Sequence, residues 1–420
     1  MPNILQISHN VYPLHDAGVE LATWELSKLM RDQLGATVYI YSLTQQGIFG
    51  VHDRWQRMVT KAFTLSEMLT LSKPDLILVQ HLKGHPSTIQ SEIISSGIPY
   101  IVFLHDYWYM CKRVTLYSLW GQRCHGPNLI KCLACVGPIH DTLETSTWWQ
   151  VNKTFLSEAS HVVAASLRVK YLYEKNGLQA ASWSVIPPMY EIPPRVTSHS
   201  YNSVLYLGGR AQVKGFQLFG KALSHISDKL QISLGGNGTT NDIVKDLPKQ
   251  HEYRVLGHIS RVPALENISG SNVVCCPSVG EESYGRVATE SIVLGTPLVV
   301  TKVGGYPERI LNSHTTKIVD PNPHILAEAI KSLVSSTHPT YEKNPTQKFN
   351  LKQITLGRQR IVSVVNHYLH ARDEPYSSEP PVDYQDALRW NNLLETHWNK
   401  LGVSQSSIPA VPTLWAELWQ

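Results

Sequence analysis

The sequence predicts an α/β protein made of two consecutive, doubly wound Rossmann-like domains. In each half, short apolar runs of strand length alternate with stretches whose apolar residues recur at helical spacing. Such alternation is typical of a parallel sheet covered by helices on both faces. The predicted strands of the first half are 3–8, 37–41, 76–79, 100–104 and 161–164. Those of the second half are 203–207, 230–234, 253–256, 272–276, 297–301 and 316–319.

The first strand leads into a glycine turn and then a helix. The loop after residues 3–8 ends at Ala17-Gly18. From there the apolar positions fall mostly on one helical face: Leu21, Ala22, Trp24, Leu26, Leu29 and Met30. This order can suggest a nicotinamide-dependent dehydrogenase. That class is disfavoured because Gly18 ends a long loop and the tight GxGxxG turn is missing.

Changes of composition predict the domain boundaries. We expect an N-terminal domain over residues 1–190, a linker over 193–202 and a second domain over 200–345. Residues 346–420 should form helices and a tail that contains Trp415 and Trp419. Packing back on the domains is the expected use of these scattered aromatic residues, with docking of a partner as the alternative.

Composition and charge narrow the functional class. The 420 residues are 42% apolar and 17% charged, which suits a globular chain with two cores. A net charge of +4 suits an anionic ligand. The sequence lacks the dense basic run interleaved with aromatic residues that would indicate nucleic-acid binding. No apolar run reaches the ~18 residues of a membrane span, and the first residues do not read as a signal peptide. We expect a cytoplasmic protein, with peripheral contact to the inner membrane face as an option.

Two glutamates, Glu282 and Glu290, flank a loop that can turn into a helix. Their spacing places one acid in the turn and the other about two helical turns further on. Ser283, Tyr284 and Gly285 would present N–H groups to an anion at the helix N-terminus. This arrangement is typical of a site for a polyhydroxylated, negatively charged ligand.

A basic pair follows the first strand of the second half. Arg210 comes directly after Gly209, and Lys214 comes four residues later, before Gly215. A guanidinium matches two phosphate oxygens, and a lysine ammonium supplies a compact positive charge. Exposed basic pairs are common after strands, but the fixed order of this pair before the two glutamates favours phosphate binding.

Together these motifs resemble the family 4 retaining glycosyltransferases, also called glycosyl transferases group 1. The resemblance covers about residues 3–335 and is strongest over 203–321. It implies the GT-B fold, in which two Rossmann-like domains face each other across a cleft. It also implies transfer of a sugar from a nucleoside diphosphate sugar, with a UDP- or GDP-sugar as the expected donor. The implied acceptor is a glycan, a lipid-linked glycan or a small molecule, and the anomeric configuration of the sugar is retained. No catalytic metal is expected.

The resemblance assigns roles to individual residues. Arg210 and Lys214 would hold the diphosphate, Glu290 the ribose hydroxyls and Glu282 the transferred sugar. His105, directly after strand 100–104, would hydrogen-bond the donor sugar or orient the acceptor. The remaining implied donor contacts are mostly backbone groups, at Gly18, Gly209, Gly257, Ser283, Tyr284, Gly285 and Arg286. Relatives usually carry two glycines where this chain has Ala17-Gly18.

Four clustered cysteines predict a structural zinc site. Cys111, Cys124, Cys132 and Cys135 follow the pattern C-x12-C-x7-C-x2-C, and four thiolates can hold tetrahedral zinc. The alternative is a set of reduced thiols. The adjacent Cys275 and Cys276 lie in a strand-like segment and should be core residues.

Two rival functions share much of this pattern. A nucleotide-sugar epimerase of the same fold would use a similar donor site, but the basic pair combined with the spaced glutamates favours sugar transfer. A catalytically inactive scaffold that binds nucleotide or a partner is the other alternative, and the retained charged residues argue against it.

Overall fold

A computed structural model describes residues 1–42, 47–52, 55–60, 64–136, 142–188, 203–335, 345–370 and 376. The chain divides into two compact units. The first contains Met1–Val114, His125–Glu191 and Gln353–Glu379, and the second contains Thr115–Cys124, Ile192–Lys352 and Pro380–Gln420. The predicted linker and the tail tryptophans lie outside the described residues.

The first unit is built on a mixed sheet. Its strands are β1 (Asn3–Ile7), β2 (Thr37–Ser42), β3 (Gly47–His52), β4 (Trp55–Thr60), β5 (Leu76–Val79), β6 (Tyr100–Leu104), β7 (His161–Ala164) and β8 (Trp183–Val185). Within the described residues they lie in the order β4-β3-β2-β1-β5-β6-β7-β8. Neighbouring strands in the part β2-β1-β5-β6-β7-β8 of this order are parallel. Strand β3 pairs antiparallel with both β2 and β4. The helices are α1 (Gly18–Leu34), α2 (Leu65–Ser72), α3 (Ile89–Ser95), α4 (Leu129–Val136), α5 (Thr142–Ser157) and α6 (Leu167–Lys175).

Helix α1 packs its apolar face on the centre of this sheet. Leu21, Trp24 and Met30 are buried in one cluster with Ile4 of β1 and Leu76 of β5. Burying each such side chain contributes roughly 1.5–3 kcal/mol. The apolar positions that the sequence placed on one helical face are therefore the ones that fix α1 over β1, whose carboxyl end carries the loop of His9 to Ala17.

The second unit is built on a parallel sheet. Its strands are β9 (Ser203–Tyr206), β10 (Gln231–Gly235), β11 (Glu252–Gly257), β12 (Val273–Cys276), β13 (Leu298–Thr301) and β14 (Thr316–Val319). Within the described residues the order is β11-β10-β9-β12-β13-β14, and every pair is parallel. The helices are α7 (Phe216–Leu223), α8 (Arg261–Gly270), α9 (Arg286–Leu294), α10 (Pro323–Val334) and α11 (Pro345–His370), with short 3-10 helices at Gln212–Lys214 and Asn241–Asp246.

Alternate residues of the central strand β9 enter two different cores. Val204 and Tyr206 join one cluster with Phe219 of α7, while Leu205 joins another with Ala288 of α9. Successive side chains of a strand point to opposite faces, so helices cover both faces of the sheet. This confirms the prediction of doubly wound, Rossmann-like architecture.

Each strand predicted from the sequence is present, but three strands of the first unit were not predicted. Strands β3 and β4 form an antiparallel pair that extends the sheet beyond β2. Their sequences carry no alternation strong enough to mark them, and Gly47 and Gly50 are poor strand formers. Strand β8 has three residues, too few to give a periodic signal.

Helix α11 belongs to the second unit up to Lys352 and to the first from Gln353. In the first unit Ile361, Val364 and Tyr368 join the core under α1, and the Tyr368 hydroxyl donates to the backbone oxygen of Ser160 over 2.7 Å. None of the helices in the described part of the chain is long and apolar enough to cross a bilayer.

Candidate functional site

The loops after β9, β12 and β13 meet at one edge of the second unit's sheet. These strands are neighbours in a parallel sheet, so their carboxyl ends share an edge, where such sheets bind ligands. The N–H of Val279 donates to the oxygen of Val213 over 2.9 Å, and the N–H of Gly305 donates to the oxygen of Glu282 over 2.8 Å. These bonds bring Lys214, after β9, next to Glu282, after β12.

Lys214 and Glu282 form the polar centre of this edge. The Lys214 Nζ lies 2.8 Å from Oε2 and 3.1 Å from Oε1 of Glu282, and the Ser278 hydroxyl donates to Oε2 over 3.0 Å. Burial opposes both charges, but their mutual attraction prevails: the pKa of Lys214 is raised and the pKa of Glu282 is lowered. Both groups are therefore charged at neutral pH.

The lowered pKa of Glu282 predicts a contribution to acid stability. A carboxylate whose folded-state pKa is depressed stabilises the fold above its unfolded pKa of about 4.3, and this stability is lost as the pH falls through the folded-state value. Glu282→Gln should therefore lose less of its unfolding free energy than the wild type between pH 5 and pH 3. Urea unfolding at several pH values measures this, and parallel losses in both proteins would contradict it.

Two glycines allow the loop of Glu282 to pack this closely. Gly304 has a φ of 57°, and a Cβ there would lie 2.1 Å from the backbone oxygen of Glu282. Gly285 has a φ of 84°, and a Cβ there would lie 2.3 Å from the ring of Tyr306. Positive φ and close approach both favour glycine. Any other residue at either position would push the Glu282 loop away from its neighbours.

Helix α9 begins at Arg286, directly after this loop. Its N-cap residue, Gly285, has no side chain to cap the first N–H groups. The first turn therefore presents N–H donors and the positive end of the helix dipole at the same edge as Lys214. Such an N-terminus suits an anionic ligand. The Ser283 side chain lies beside this turn in the sequence, whereas the Tyr284 side chain is buried.

Arg309 lies buried behind the loop and holds its backbone. Its Nη2 donates to the backbone oxygens of Tyr284 and Gly285, the latter over 3.1 Å, and its Nη1 donates to Oδ1 of Asn350 over 3.1 Å. The guanidinium lies 4.2 Å from the centre of the Tyr284 ring. Because these carbonyls belong to the residues just before α9, Arg309 fixes the direction of the helix N-terminus.

Glu290 lies on α9, between two arginines. Its Oε1 is 3.0 Å from Nε of Arg286, one helical turn earlier, and 3.3 Å from Nη1 of Arg261, the first residue of α8. Its side chain is mostly buried. The two glutamates of the motif are therefore both ion-paired, Glu282 with a lysine and Glu290 with arginines.

Arg210 has different partners from Lys214. Its Nη1 lies 2.8 Å from Asp242 and its Nη2 lies 2.9 Å from Asp246, both on the 3-10 helix after β10. The preceding residue, Gly209, donates its N–H to the oxygen of Gly235 over 3.0 Å. The two predicted phosphate-binding residues thus follow the same strand, but the structure ties Arg210 to aspartates and Lys214 to Glu282.

Gly257 ends β11, towards the outer edge of this sheet. Its backbone oxygen accepts the N–H of Gly236 over 2.9 Å. This bond joins the loop after β10 to the end of β11, so the predicted donor contact at Gly257 lies on the same carboxyl edge as the other predicted donor residues of this unit.

In the first unit, the predicted site residues His105 and Gly18 both follow the carboxyl end of a strand, β6 and β1 respectively. His105 directly follows β6, and its Nε2 lies 2.8 Å from Oε1 of Gln80. Gly18 is the first residue of α1, with Ala17 as N-cap. A Cβ on Gly18 would have no atom within 4 Å, so no neighbouring protein atom requires glycine there, and the donor contact at Gly18 stays a prediction.

Comparison with known families identifies the second unit. Residues 191–348 match the family described as glycosyl transferases group 1. This segment is a group 1 glycosyl transferase domain. It contains Lys214, Glu282, Glu290 and Arg309, so the whole polar edge described above lies inside the glycosyl transferase domain.

Characterised and uncharacterised relatives agree with this family. Glycogen synthase of Mycobacterium tuberculosis is 28% identical over 168 residues, which are 38% of this chain and 39% of that protein. An uncharacterized glycosyltransferase of Methanocaldococcus jannaschii is 30% identical over 139 residues, 31% of this chain and 35% of that protein. These matches thus span less than half the length of either relative.

Solved structures show that the chain has the predicted GT-B fold class. HepE of Anabaena, in complex with UDP and glucose, aligns with a TM-score of 0.60 and 18% identity over 87% of this chain and 100% of that chain. A glycosyltransferase from Rickettsia africae aligns with a TM-score of 0.61 and 17% identity over 88% of this chain and 99% of that chain. At these identities the likeness establishes the fold.

The structure does not support the predicted zinc site. Within the residues described above, no three His, Cys, Asp or Glu side chains come close enough to hold one metal ion. Cys132 and Cys135 lie on α4, where the N–H of Asn128 donates to Sγ of Cys132 over 3.4 Å. Cys111 and Cys124 do not complete a group of three ligands with these two cysteines in the described residues. The C-x2-C spacing therefore reflects one helical turn. Cys275, in contrast, is a core residue, as predicted.

Several residues of the candidate site were not predicted from the sequence. Ser278, Arg261 and Arg309 touch the predicted residues, but each is distant along the chain or lacks a recognisable spacing. The nearest sequence signal for Arg309 is its place directly after the glycine-containing segment Gly304 to Glu308, which follows β13.

Proposed function

We propose that this chain transfers a sugar from a nucleoside diphosphate sugar to an acceptor hydroxyl, with retention of the anomeric configuration. The observation that carries the proposal is the Lys214–Glu282 pair beside the uncapped N-terminus of α9, inside the group 1 domain. Two similar proteins point to the donor: the structure of HepE contains UDP and glucose, and a glycogen synthase is 28% identical over 168 residues. A UDP-sugar is therefore the first donor to test, followed by a GDP-sugar.

The proposed chemistry depends on stabilising the leaving diphosphate. As the bond between sugar and diphosphate breaks, negative charge grows on the leaving oxygen. The Lys214 ammonium and the first N–H groups of α9 would face this charge, in a site that needs no reorganisation at the moment of reaction. Glu282 keeps the ammonium charged and placed. With the leaving diphosphate as the proton acceptor, positioning of the two substrates supplies the rest of the catalysis.

Arg210 would bind the diphosphate from the other side of the loop. A guanidinium has five N–H donors, and the contacts to Asp242 and Asp246 come from only two of its nitrogens. In the first unit, His105 would bind a hydroxyl of the sugar substrate. The acceptor is proposed to be a glycan, a lipid-linked glycan or a small molecule, and contact with a membrane surface belongs to the lipid-linked case.

A panel of nucleotide sugars tests the proposal. The full chain is incubated with UDP- and GDP-sugars, with and without candidate glycan and lipid-linked acceptors, and nucleoside diphosphate release is followed. The proposal expects release from one donor that an acceptor accelerates, and the NMR coupling of the anomeric proton in the product should show the donor's configuration. No release from any donor, or an inverted product, would overturn it.

The same assay separates transfer from epimerisation. An epimerase would change the configuration of the sugar on its nucleotide, or release nucleotide, without joining the sugar to an acceptor. The charged residues of the site argue against an inactive scaffold, which would bind nucleotide without releasing product.

The two glutamates should affect different steps. Glu290→Gln removes the charge proposed to accept hydrogen bonds from the ribose hydroxyls, so nucleoside diphosphate affinity should fall about tenfold, the equivalent of one charged hydrogen bond. Glu282→Gln should leave nucleotide affinity nearly unchanged and slow transfer. Isothermal titration with UDP and steady-state kinetics measure both. Equal UDP affinity in wild type and Glu290→Gln would reject the ribose assignment.

A further inference from the structure

Three neighbouring strands of the first unit bring a chain of polar side chains together. Gln6 lies in β1, Gln80 directly follows β5 and His105 directly follows β6. Gln6 and Gln80 are 0% and 1% exposed. Gln80 Nε2 lies 2.7 Å from Gln6 Oε1, and His105 Nε2 lies 2.8 Å from Gln80 Oε1. Buried polar groups of this kind must each find a matching donor or acceptor.

The contacts of Gln6 with helix α1 fix the orientation of its side-chain amide. Its Nε2 donates to the backbone oxygen of Thr23 over 3.1 Å and to the Ser27 hydroxyl oxygen. A backbone oxygen can only accept. The Ser27 hydroxyl gives its own proton to the same Thr23 oxygen over 2.8 Å, so its oxygen also accepts. Gln6 must therefore turn its NH2 group to α1 and its oxygen to Gln80.

This orientation passes through Gln80 to His105. Because Gln6 offers an oxygen, Gln80 must donate through its NH2 group and offers its own oxygen to His105. The Nε2 of His105 must then carry a hydrogen. Burial lowers the pKa of His105 to about 4, with Asp106 opposing and His81 adding to this shift. A neutral imidazole has one N–H group, so Nδ1 keeps its lone pair.

We propose that Gln6 and Gln80 are positioning residues that hold His105 as its Nε2–H tautomer, so that Nδ1 accepts a hydrogen bond from a hydroxyl of the sugar substrate. The proposal rests on the proposed function. The His105 ring lines a pocket together with Gln80 and apolar residues such as Phe103 and Val163, and the described residues give Nδ1 no hydrogen-bond partner.

The lone pair also defines the class of sugar that fits. An acceptor nitrogen stabilises a hydroxyl group, which can donate, and repels a carboxylate, which only accepts. The substrate group beside His105 is therefore a free hydroxyl rather than a carboxylate.

The tautomer itself can be measured without turnover. The full chain is labelled with 15N-histidine, and two-bond proton–nitrogen correlations at pH 7 distinguish the Nε2–H from the Nδ1–H form. The His105 signals are assigned by their loss in His105→Gln. We expect a nearly pure Nε2–H form in the wild type. A dominant Nδ1–H form would overturn the proposal, whatever the fate of the variants below.

The hydrogen-bonded row Gln6–Gln80–His105 is called the relay here, and Gln6→Leu tests it at a residue that does not touch His105. Without Gln6 the Gln80 amide loses its fixed partner and can turn, so His105 should become a mixture of tautomers and kcat should fall about tenfold, as expected for one lost orienting hydrogen bond. Gln90→Leu is the matched control, since Gln90 is also a buried glutamine of this unit, bonded to Asn152 over 2.6 Å.

The control should keep both the tautomer and kcat, even where it lowers stability. If Gln6→Leu keeps the wild-type tautomer and kcat, as Gln90→Leu does, the relay is rejected. If the wild type turns over no nucleotide sugar, the proposed function fails, and the tautomer measurement still decides on the relay.

Discussion

Replacing Lys214 by alanine is expected to lower kcat by about a hundredfold or more, with the fold intact. Removing one charge that stabilises the leaving diphosphate should raise the barrier by about 3 kcal/mol. Some stability should be lost as well, because Glu282, whose side chain is only 10% exposed, loses its cationic partner, although Lys214 itself is 45% exposed. The Ser278 hydroxyl still donates to this carboxylate. Steady-state nucleoside diphosphate release and urea unfolding measure the two effects separately.

A second lysine of the same unit provides the matched control. Lys229 lies 2.7 Å from Glu252, but this pair stands at the amino ends of β10 and β11, away from the carboxyl edge. Lys229→Ala also removes one lysine from an ion pair, and it should leave kcat unchanged. Equal turnover of Lys214→Ala and Lys229→Ala would reject the assignment of this edge as the catalytic site.

The sequence predicted the strands and the motif because both leave local signals. Buried parallel strands are continuous apolar runs, and all eleven predicted runs became strands. The Glu282 to Glu290 segment was identified because its loop, glycine and helix follow one another within a few residues. In contrast, β8 and the β3–β4 pair are short or weakly patterned, and only pairing with a neighbouring strand defines them.

The partners of the site residues were not predictable in the same way. Arg309 and Asn350 are 41 residues apart, and the Gln6–Gln80 bond spans 74 residues, so only the fold brings them together. For the four clustered cysteines the sequence indicated a site that the structure does not support. Their spacing resembles a metal site, but the spacing of Cys132 and Cys135 arises from one turn of α4, and the structure does not gather the other two beside them.

Arg309→Met is expected to have the largest effect on stability, because the guanidinium is buried and donates to three different oxygens at once. Its exposed fraction is 6%, and its loss leaves the oxygens of Tyr284, Gly285 and Asn350 without these bonds. Removing the donor of a buried hydrogen bond costs about 1–3 kcal/mol for each acceptor that is left, so with three acceptors affected the unfolding free energy should fall by about 3 kcal/mol or more. UDP affinity should fall too, because the first turn of α9 loses its support.

Two further variants make the Arg309 result decisive. Arg254→Met is the control, since Arg254 is exposed on β11 of the same unit, and it should change the unfolding free energy by less than about 0.5 kcal/mol. Arg309→Lys keeps the charge but not the planar fork that reaches three acceptors. Its unfolding free energy and UDP affinity should therefore lie between those of the wild type and Arg309→Met, and it replaces Arg309→Met in the test if that variant does not fold. Urea unfolding and UDP titration give both quantities. An Arg309→Lys protein with wild-type stability and UDP affinity would show that the fork does not hold the donor loop.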